Sequence, residues 1–237
     1  MINSKSKAPL LFYSMLSAAL LVFVVLWRVF FKDVSYYVPA AVLLIFSMLP
    51  LLFRFEKKES SAREITLIAS MIALAVVSRA AFYLLPSVKP IAAVVIVSAV
   101  CLGAERGYTI GVFAAFISNF IFGQGSWTPF QMAALGLVGL ISGIVFKYVN
   151  PTRIRLALTG FVLAFAVYGA VSDISTILVM YGKKITLGGI LSVYGAGVPF
   201  SFAFGVSTAA FLLLFGTPLI NKLNRVIIKY DIIKKTE

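Results

Sequence analysis

The sequence predicts an all-α integral membrane protein in which a two-helix N-terminal hairpin precedes a six-helix bundle. Three observations lead to this fold class. The 237 residues are 61% hydrophobic and only 12% charged, whereas soluble domains carry roughly 25% charged residues. Mean hydropathy is +1.04. The apolar residues are grouped into runs, most of them long enough to cross a hydrocarbon core of about 30 Å, and short polar segments separate them.

The N-terminal hairpin, residues 1–53, consists of apolar runs at residues 10–31 and 36–53. The first run is longer than a signal-peptide core and lacks a small-residue cleavage site, so it is predicted to be a retained span. A charged linker follows at residues 54–64, and a basic tail at residues 226–237 ends the chain.

The predicted core extends over residues 65–225. Its six helices lie at residues 65–85, 88–102, 108–122, 129–149, 154–180 and 191–221. The second and third runs are short for complete spans. They either both cross the membrane or form a re-entrant hairpin, and both arrangements keep the two ends of the chain on one side.

Charge placement predicts the orientation. With a cytoplasmic N-terminus, fifteen lysine and arginine residues fall in cytoplasmic segments. The five on the outer side are Arg28, Lys32, Lys89, Lys183 and Lys184. This bias follows the positive-inside rule, so both termini are predicted to be cytoplasmic. Topology also accounts for the net charge of +13, and no nucleic-acid partner is expected.

The composition argues against an enzyme. The chain has no histidine and a single cysteine, Cys101, so the commonest general base and a cysteine metal cluster are both missing. No phosphate-binding loop of the G-x-x-x-x-G-K-[ST] type is present. The sequence therefore predicts no catalytic residues, no metal site and no covalently bound cofactor.

Polar side chains at one depth predict a pocket that opens outward. Arg79 and Asp173 lie roughly 9–12 Å below the outer ends of their predicted helices, at 1.5 Å per residue. Asn119 and Gln131 occupy the same layer on two further helices. Ionisable residues inside a membrane are costly and are functional candidates for that reason. Two alternatives are a buried Arg79–Asp173 ion pair that only joins two helices, and an Arg79 side chain that reaches the outer headgroups.

The predicted outer loops add candidate contacts. Residues 122–129 form a glycine-rich loop in which Trp127 offers a flat surface for a ring system. Lys89 lies in a proline-bounded turn at residues 86–90, and residues 182–189 are long enough to form a lid. The predicted substrate contacts are Arg79, Lys89, Asn119, Gln124, Trp127, Gln131, Tyr168, Asp173 and Tyr194.

Ala69 and Ala73 mark a second surface on the first core helix. Small residues four positions apart allow another helix to approach closely. Their position in the predicted cytoplasmic half, away from the pocket, makes this face a candidate docking surface for another membrane subunit.

The core resembles the substrate-binding S components of energy-coupling factor (ECF) transporters. The resemblance covers residues 62–225. It rests on the segment at 62–66, which leads into the helix with Ala69 and Ala73, and on Ser-Val-Lys-Pro at 87–90. The most specific segment is Phe-Gly-Gln-Gly-Ser-Trp-Thr-Pro-Phe-Gln-Met at 122–132. The first two helices depart from the six-helix pattern of that family.

The resemblance implies a function. An S component in the bacterial plasma membrane binds a vitamin on the extracellular side. A membrane coupling subunit and two cytoplasmic ATPases then make it topple in the bilayer and release the vitamin inside. Ala69 and Ala73 match the alanine pair that contacts the coupling subunit. The loop at 122–132 is most similar to that of cobalamin-specific members, so cobalamin is the expected transported ligand, with folate, pantothenate and riboflavin as alternatives.

Three other classes remain open. A proton-coupled secondary transporter would use Asp173 to carry the proton. A membrane enzyme or lipid-handling protein would need a cluster of acids or a metal set, and the sequence has neither. In a non-catalytic scaffold the outer polar layer would have no ligand.

Overall fold

The computed structural model describes residues 61–181 and 184–232, together with separate residues of the N-terminal part, namely 19, 22, 23, 26, 27, 38, 40–43, 45, 46 and 48. Most of the predicted hairpin, residues 54–60 of the linker and residues 233–237 of the tail lie outside this set. Every regular element in the described residues is a helix, which confirms the all-α fold class for this part of the chain.

Six continuous helices follow one another between residues 61 and 232. They are α1, Ala62–Ala81; α2, Ile91–Leu102; α3, Ala104–Phe122; α4, Thr128–Tyr148; α5, Arg153–Tyr181; and α6, Leu187–Lys229. Four of them, α1, α4, α5 and α6, are long and apolar enough to cross a membrane. The described part of the chain therefore has the character of a membrane protein. With 12 residues, α2 rises only about 18 Å.

Three helices begin three or four residues earlier than the apolar runs predict. They are α1, α3 and α6, and α6 begins at Leu187, within the loop predicted at residues 182–189. The Ser61 hydroxyl accepts a hydrogen bond from the Glu64 backbone N–H at 3.2 Å, so α1 begins at Ala62 and includes residues assigned to the linker. A single residue, Gly103, with φ +92°, separates α2 from α3. The start of α3 is held to α1 because Arg106 Nε donates to Glu64 Oε1 at 2.7 Å.

Glycines bring α3 and α4 into backbone contact. A Cβ built on Gly139 would lie 2.2 Å from the Gly107 carbonyl oxygen, and one on Gly111 would lie 2.2 Å from the Leu135 carbonyl oxygen. A Cβ on Gly143 would meet the Ala104 backbone at 2.4 Å. Small residues at this spacing are the usual means of close helix packing in membranes.

The described N-terminal residues lie against the core. Leu43 is fully buried in a cluster with Phe130, Ala133, Val171 and Leu178. The described residues from 38 to 48 are helical. Residues of the second predicted helix thus pack on α4 and α5.

The last two helices contain π-helical turns. In α5 this turn is Leu163–Tyr168, and in α6 it is Leu212–Gly216. Pro199 also lies inside α6. A π turn adds a residue to the helix and rotates everything beyond it, which is why such turns often occur beside functional sites.

Candidate ligand-binding site

A cavity of about 570 Å³ opens at one end of the bundle. Its walls come from the end of α1, the α1–α2 loop, the beginnings of α2 and α4, the second half of α5 and the first half of α6. Its polar lining residues are Arg79, Ser87, Lys89, Gln131, Tyr168, Ser172, Asp173, Thr176, Tyr181, Ser192 and Ser201. Pockets for small molecules typically have volumes of about 300–1,000 Å³, so this cavity has the size of a small-molecule site.

In the described residues, the hydrogen bonds and the ring contact of the Arg79 guanidinium all come from α3. Its Nη1 donates to Ser118 Oγ at 2.5 Å and to Asn119 Oδ1 at 2.9 Å. The guanidinium also lies 4.2 Å from the centre of the Phe122 ring, within the range of a cation–π contact. These contacts fix the position of the side chain beside the cavity that Arg79 lines.

Asn119 connects Arg79 to α4. It is 1% exposed, and its Nδ2 donates to Gln131 Oε1 at 2.9 Å and to Thr128 Oγ1 at 3.2 Å. Of these residues, Arg79 and Gln131 line the cavity whereas Asn119 does not. Asn119 is therefore a buried residue that positions two lining side chains.

Lys89 fixes the α1–α2 loop at the cavity mouth. Its Nζ donates to the Phe82 and Tyr83 carbonyl oxygens at 2.6 and 3.0 Å and lies 5.0 Å from the centre of the Phe122 ring. Burial lowers the pKa of Lys89 below its ordinary value, and the nearby Arg79 guanidinium lowers that pKa further.

Asp173 lines the same cavity, but it forms no ion pair with Arg79. No guanidinium nitrogen of Arg79 lies within 4.0 Å of an Asp173 carboxylate oxygen, so the alternative of a helix-joining ion pair is wrong. The carboxylate instead lies against α6, where a Cβ on Gly197 would be 2.4 Å from Asp173 Oδ2. Arg79 and Asp173 are two separate charged groups of one cavity.

The predicted aromatic contacts have different positions. Tyr168, the last residue of the π-helical turn, lines the cavity, and its ring centre is 4.8 Å from that of Phe204, another lining residue. Tyr194 lies beside a smaller adjoining cavity of about 170 Å³, which Asp173 also lines. The Tyr194 hydroxyl donates to the Ala170 carbonyl oxygen at 3.1 Å.

Two predicted loop contacts do not line the cavity. Gln124 Nε2 donates to the Phe116 carbonyl oxygen at 3.0 Å, and its Oε1 accepts from Thr128 Oγ1 at 2.9 Å. The Trp127 ring lies against Gly125, where a Cβ would be 2.5 Å from the indole, and 44% of Trp127 is exposed. The loop between α3 and α4 is thus folded on itself, and in the described residues its side chains are engaged locally.

Several lining residues were not predicted. Ser172 and Thr176 continue the line of Tyr168 at four-residue intervals along α5, and Ser192 and Ser201 face them from α6. The four-residue spacing was readable in the sequence. Isolated serines and threonines are common in membrane helices, where they bond to their own backbone or to neighbouring helices, and this explains why the signal did not stand out.

Ala69 and Ala73 lie on an exposed face of α1. The opposite face of the helix, which includes Met71, Ile72 and Ala75, is buried in the core. The alanine pair is therefore accessible in the part of the chain that the structure describes, on a different surface from the cavity.

The described residues have the character of a helical membrane protein, and the cavity at one end of the bundle is a candidate small-molecule site. The chain belongs to a family described as a family of unknown function (DUF6580), whose model matches residues 59–226. The matched range begins just before α1 and ends within α6, so it contains the whole cavity. Comparison with curated proteins and with solved structures found no match.

Proposed function

We propose that this protein is the substrate-binding S component of an ECF-type importer in the bacterial plasma membrane, with both termini cytoplasmic. The observation that carries the proposal is the cavity of about 570 Å³ at one end of the bundle. An arginine oriented by Ser118 and Asn119 and a separate carboxylate, Asp173, line it. Charged groups at such depth favour a polar ligand that must pass through the membrane.

The energy for transport would come from partners. The sequence has no phosphate-binding loop of its own, and the resemblance to S components implies a membrane coupling subunit and two ATPases that use ATP. The exposed face with Ala69 and Ala73 is the proposed contact with the coupling subunit, since two small side chains let a partner helix approach closely.

The proposed ligand is a vitamin. The resemblance of residues 122–132 favours cobalamin. The cavity volume favours a smaller vitamin such as folate, pantothenate or riboflavin, because a complete corrinoid is larger than about 570 Å³ and would remain partly outside. Neither Gln124 nor Trp127 lines the cavity, which weakens the case for a corrinoid stacked on that loop.

Purification of the full chain alone and with its co-expressed neighbours tests this function. We expect the chain alone to bind one vitamin of a panel without ATP, and a coupling subunit with two ATPases to co-purify. Absence of binding across the whole panel would contradict the proposal. A bound corrinoid would be visible from its red colour.

Ala69→Trp separates docking from binding. The substitution adds a large ring to the exposed face of α1 and should abolish ATP-driven uptake while the affinity for the vitamin is retained. Ala210→Trp, at an exposed alanine of α6, is the matched control and should leave both properties unchanged. Equal loss of binding and uptake in Ala69→Trp would show that this face has no separate docking role.

A proton-coupled secondary transporter is the second candidate, because Asp173 lies in the cavity without an ion-pair partner among the described residues. Proteoliposomes that contain only this chain distinguish the two functions. Uptake driven by an imposed proton gradient, and lost in Asp173→Asn, would support the second candidate and contradict the first.

A further inference from the structure

Arg79, which lines the cavity, has N–H donors that the described residues do not use. A guanidinium has five N–H donors, and in the described residues only those on Nη1 of Arg79 have acceptors, namely Ser118 and Asn119. The donors on Nε and Nη2 remain available. A pair of N–H groups in this fixed geometry is suited to a carboxylate or a phosphate.

Lys89 adds a second cation to the cavity lining. Its Nζ has three donors, of which two bond to the Phe82 and Tyr83 carbonyl oxygens. Lys89 and Arg79 both line the cavity. One anionic ligand group would therefore meet two positive charges.

The Asp173 carboxylate lines the same cavity as the two cations. No described residue donates a hydrogen bond to the Asp173 carboxylate or forms an ion pair with it. The hydroxyl of Tyr194, which shares the smaller cavity with Asp173, donates instead to Ala170 O. A carboxylate at such depth without a partner is unfavourable. A positively charged ligand group would supply the missing partner.

Aromatic side chains lie on the wall that contains Asp173. Tyr168, Phe200 and Phe204 line the cavity from α5 and α6, and the rings of Tyr168 and Phe204 contact one another. Aromatic side chains of this kind accommodate a planar ring of a ligand. The two cations, the aromatic wall and the Asp173 carboxylate together suit a ring compound that carries groups of both signs.

Building on the proposed function, we infer that the transported ligand is an amphoteric ring compound, whose carboxylate or phosphate binds Arg79 and Lys89 and whose cationic nitrogen binds Asp173. The three protein charges sum to +1, so a ligand with net charge near −1 is matched best. Neutral vitamins and vitamins with a single charge satisfy only part of the site.

A panel of vitamins with defined charges tests the inference on the purified full chain in detergent, by calorimetric titration. Pyridoxamine 5′-phosphate carries the phosphate and a protonated aminomethyl group, and pyridoxamine lacks the phosphate. Pyridoxine 5′-phosphate has a hydroxyl in place of the amine, and the ring nitrogen is common to all three compounds. Thiamine monophosphate and thiamine form a second matched pair. Folate, a ring compound that has carboxylates but no nitrogen protonated at neutral pH, is a purely anionic comparison. Pantothenate, biotin, riboflavin and cobalamin complete the panel.

We expect the tightest ligand to carry both the anionic and the cationic group. An analogue that lacks one of these two groups should bind at least about tenfold more weakly, as the loss of one charge-assisted contact predicts. Tightest binding by folate, pantothenate, biotin, riboflavin or cobalamin would overturn the inference and leave the proposed function intact. No binding by any member would overturn both.

Variants assign each group to its partner. Asp173→Asn should weaken the amphoteric ligand about tenfold or more and leave its analogue without the cation unchanged, whereas Arg79→Gln should abolish the advantage given by the phosphate or carboxylate. If Asp173→Asn binds the amphoteric ligand as tightly as the unmodified chain does, the assignment of the cation to Asp173 is wrong.

Gly197→Ala tests the position of Asp173 without a change of charge. The added Cβ would lie 2.4 Å from Asp173 Oδ2, so the carboxylate must move, and affinity should fall as in Asp173→Asn. Gly195→Ala is the matched control in the same helix, because a Cβ there meets nothing within 4 Å. Equal affinity in the two variants would overturn the role of Asp173 even if another substitution disturbs folding.

Discussion

Replacing Gly139 by alanine tests whether the contact between α3 and α4 limits the stability of the bundle. The new Cβ would lie 2.2 Å from the Gly107 carbonyl oxygen and 2.4 Å from its carbonyl carbon. Ordinary contact begins near 3.4 Å, so the two backbones must separate by about 1 Å. Backbone atoms cannot rotate away as a flexible side chain would, and the whole helix has to shift.

The magnitude follows from two opposing effects. Overpacking of a close contact costs about 1–3 kcal/mol. Alanine gains up to about 1 kcal/mol over glycine from helix propensity. An approach of 2.2 Å to backbone atoms belongs to the upper part of the overpacking range, about 2–3 kcal/mol. The net destabilisation is therefore about 1–2 kcal/mol, which for a chain of this size lowers Tm by about 2–8 °C.

Thermal unfolding of the purified chain in one detergent, followed by tryptophan fluorescence, measures this change. Gly195→Ala is the control, since it has the same gain in helix propensity and open space around its Cβ, and its Tm should equal or exceed that of the unmodified chain. If Gly139→Ala unfolds at the same temperature as Gly195→Ala, the backbone contact between α3 and α4 does not limit stability and the argument fails.

Three further predictions concern the site and its surroundings. Asn119→Leu removes three hydrogen bonds, each worth about 0.6 kcal/mol in a membrane. It should destabilise the chain by about 2 kcal/mol and weaken ligand binding. A titration that shows unchanged affinity would mean that Asn119 does not position the lining side chains. Trp127→Ala should change the affinity for the ligand by no more than about twofold, because the ring lies on Gly125 outside the cavity. A loss of about 1–3 kcal/mol of binding free energy, the value of a buried ring contact, would instead show that the indole contacts the ligand. Deprotonation removes the charge of Lys89, so affinity for a phosphate-bearing ligand should fall as pH rises through the lowered pKa of Lys89. Lys89→Arg keeps its charge at high pH and should flatten this pH profile. A flat profile in the unmodified chain would contradict a contact between Lys89 and the phosphate.

The positions of the helices were largely predictable because apolar runs in a membrane protein correspond directly to helices. Their starts were less so. Residues 62–64 and 104–107 are polar and read as loops, yet both segments are helical. The Ser61 cap at the start of α1 is a local pattern. The contact that joins the start of α3 to α1 is not, because Arg106 and Glu64 lie 42 residues apart.

The charged members of the site were also predictable, whereas their partners were not. The depth of Arg79 and Asp173 in their helices can be counted from the sequence, and both line the cavity. The depth gave no information about the distance between them, so an ion pair remained an open alternative. Rotation of each helix decides that distance, and the π-helical turn in α5 changes the rotation in a way that hydrophobicity does not report.

The loop at 122–129 shows where composition misleads. Glycine and tryptophan together suggest a ligand surface, but the missing side chain of Gly125 makes room for the indole of the same loop. The indole packs on Gly125 outside the cavity, and 44% of Trp127 stays exposed. Only the conformation of the loop distinguishes these two uses of the same residues.

The contact between Asp173 and Gly197 has a consequence for the evolution of the family. A side chain larger than hydrogen at position 197 would occupy the space that the carboxylate of residue 173 requires. Substitutions at these two positions should therefore be inherited together, and a lineage that exchanges the aspartate is released from the need for the glycine. Members that share both residues would then share a ligand preference, and members that have lost both would have acquired a different one.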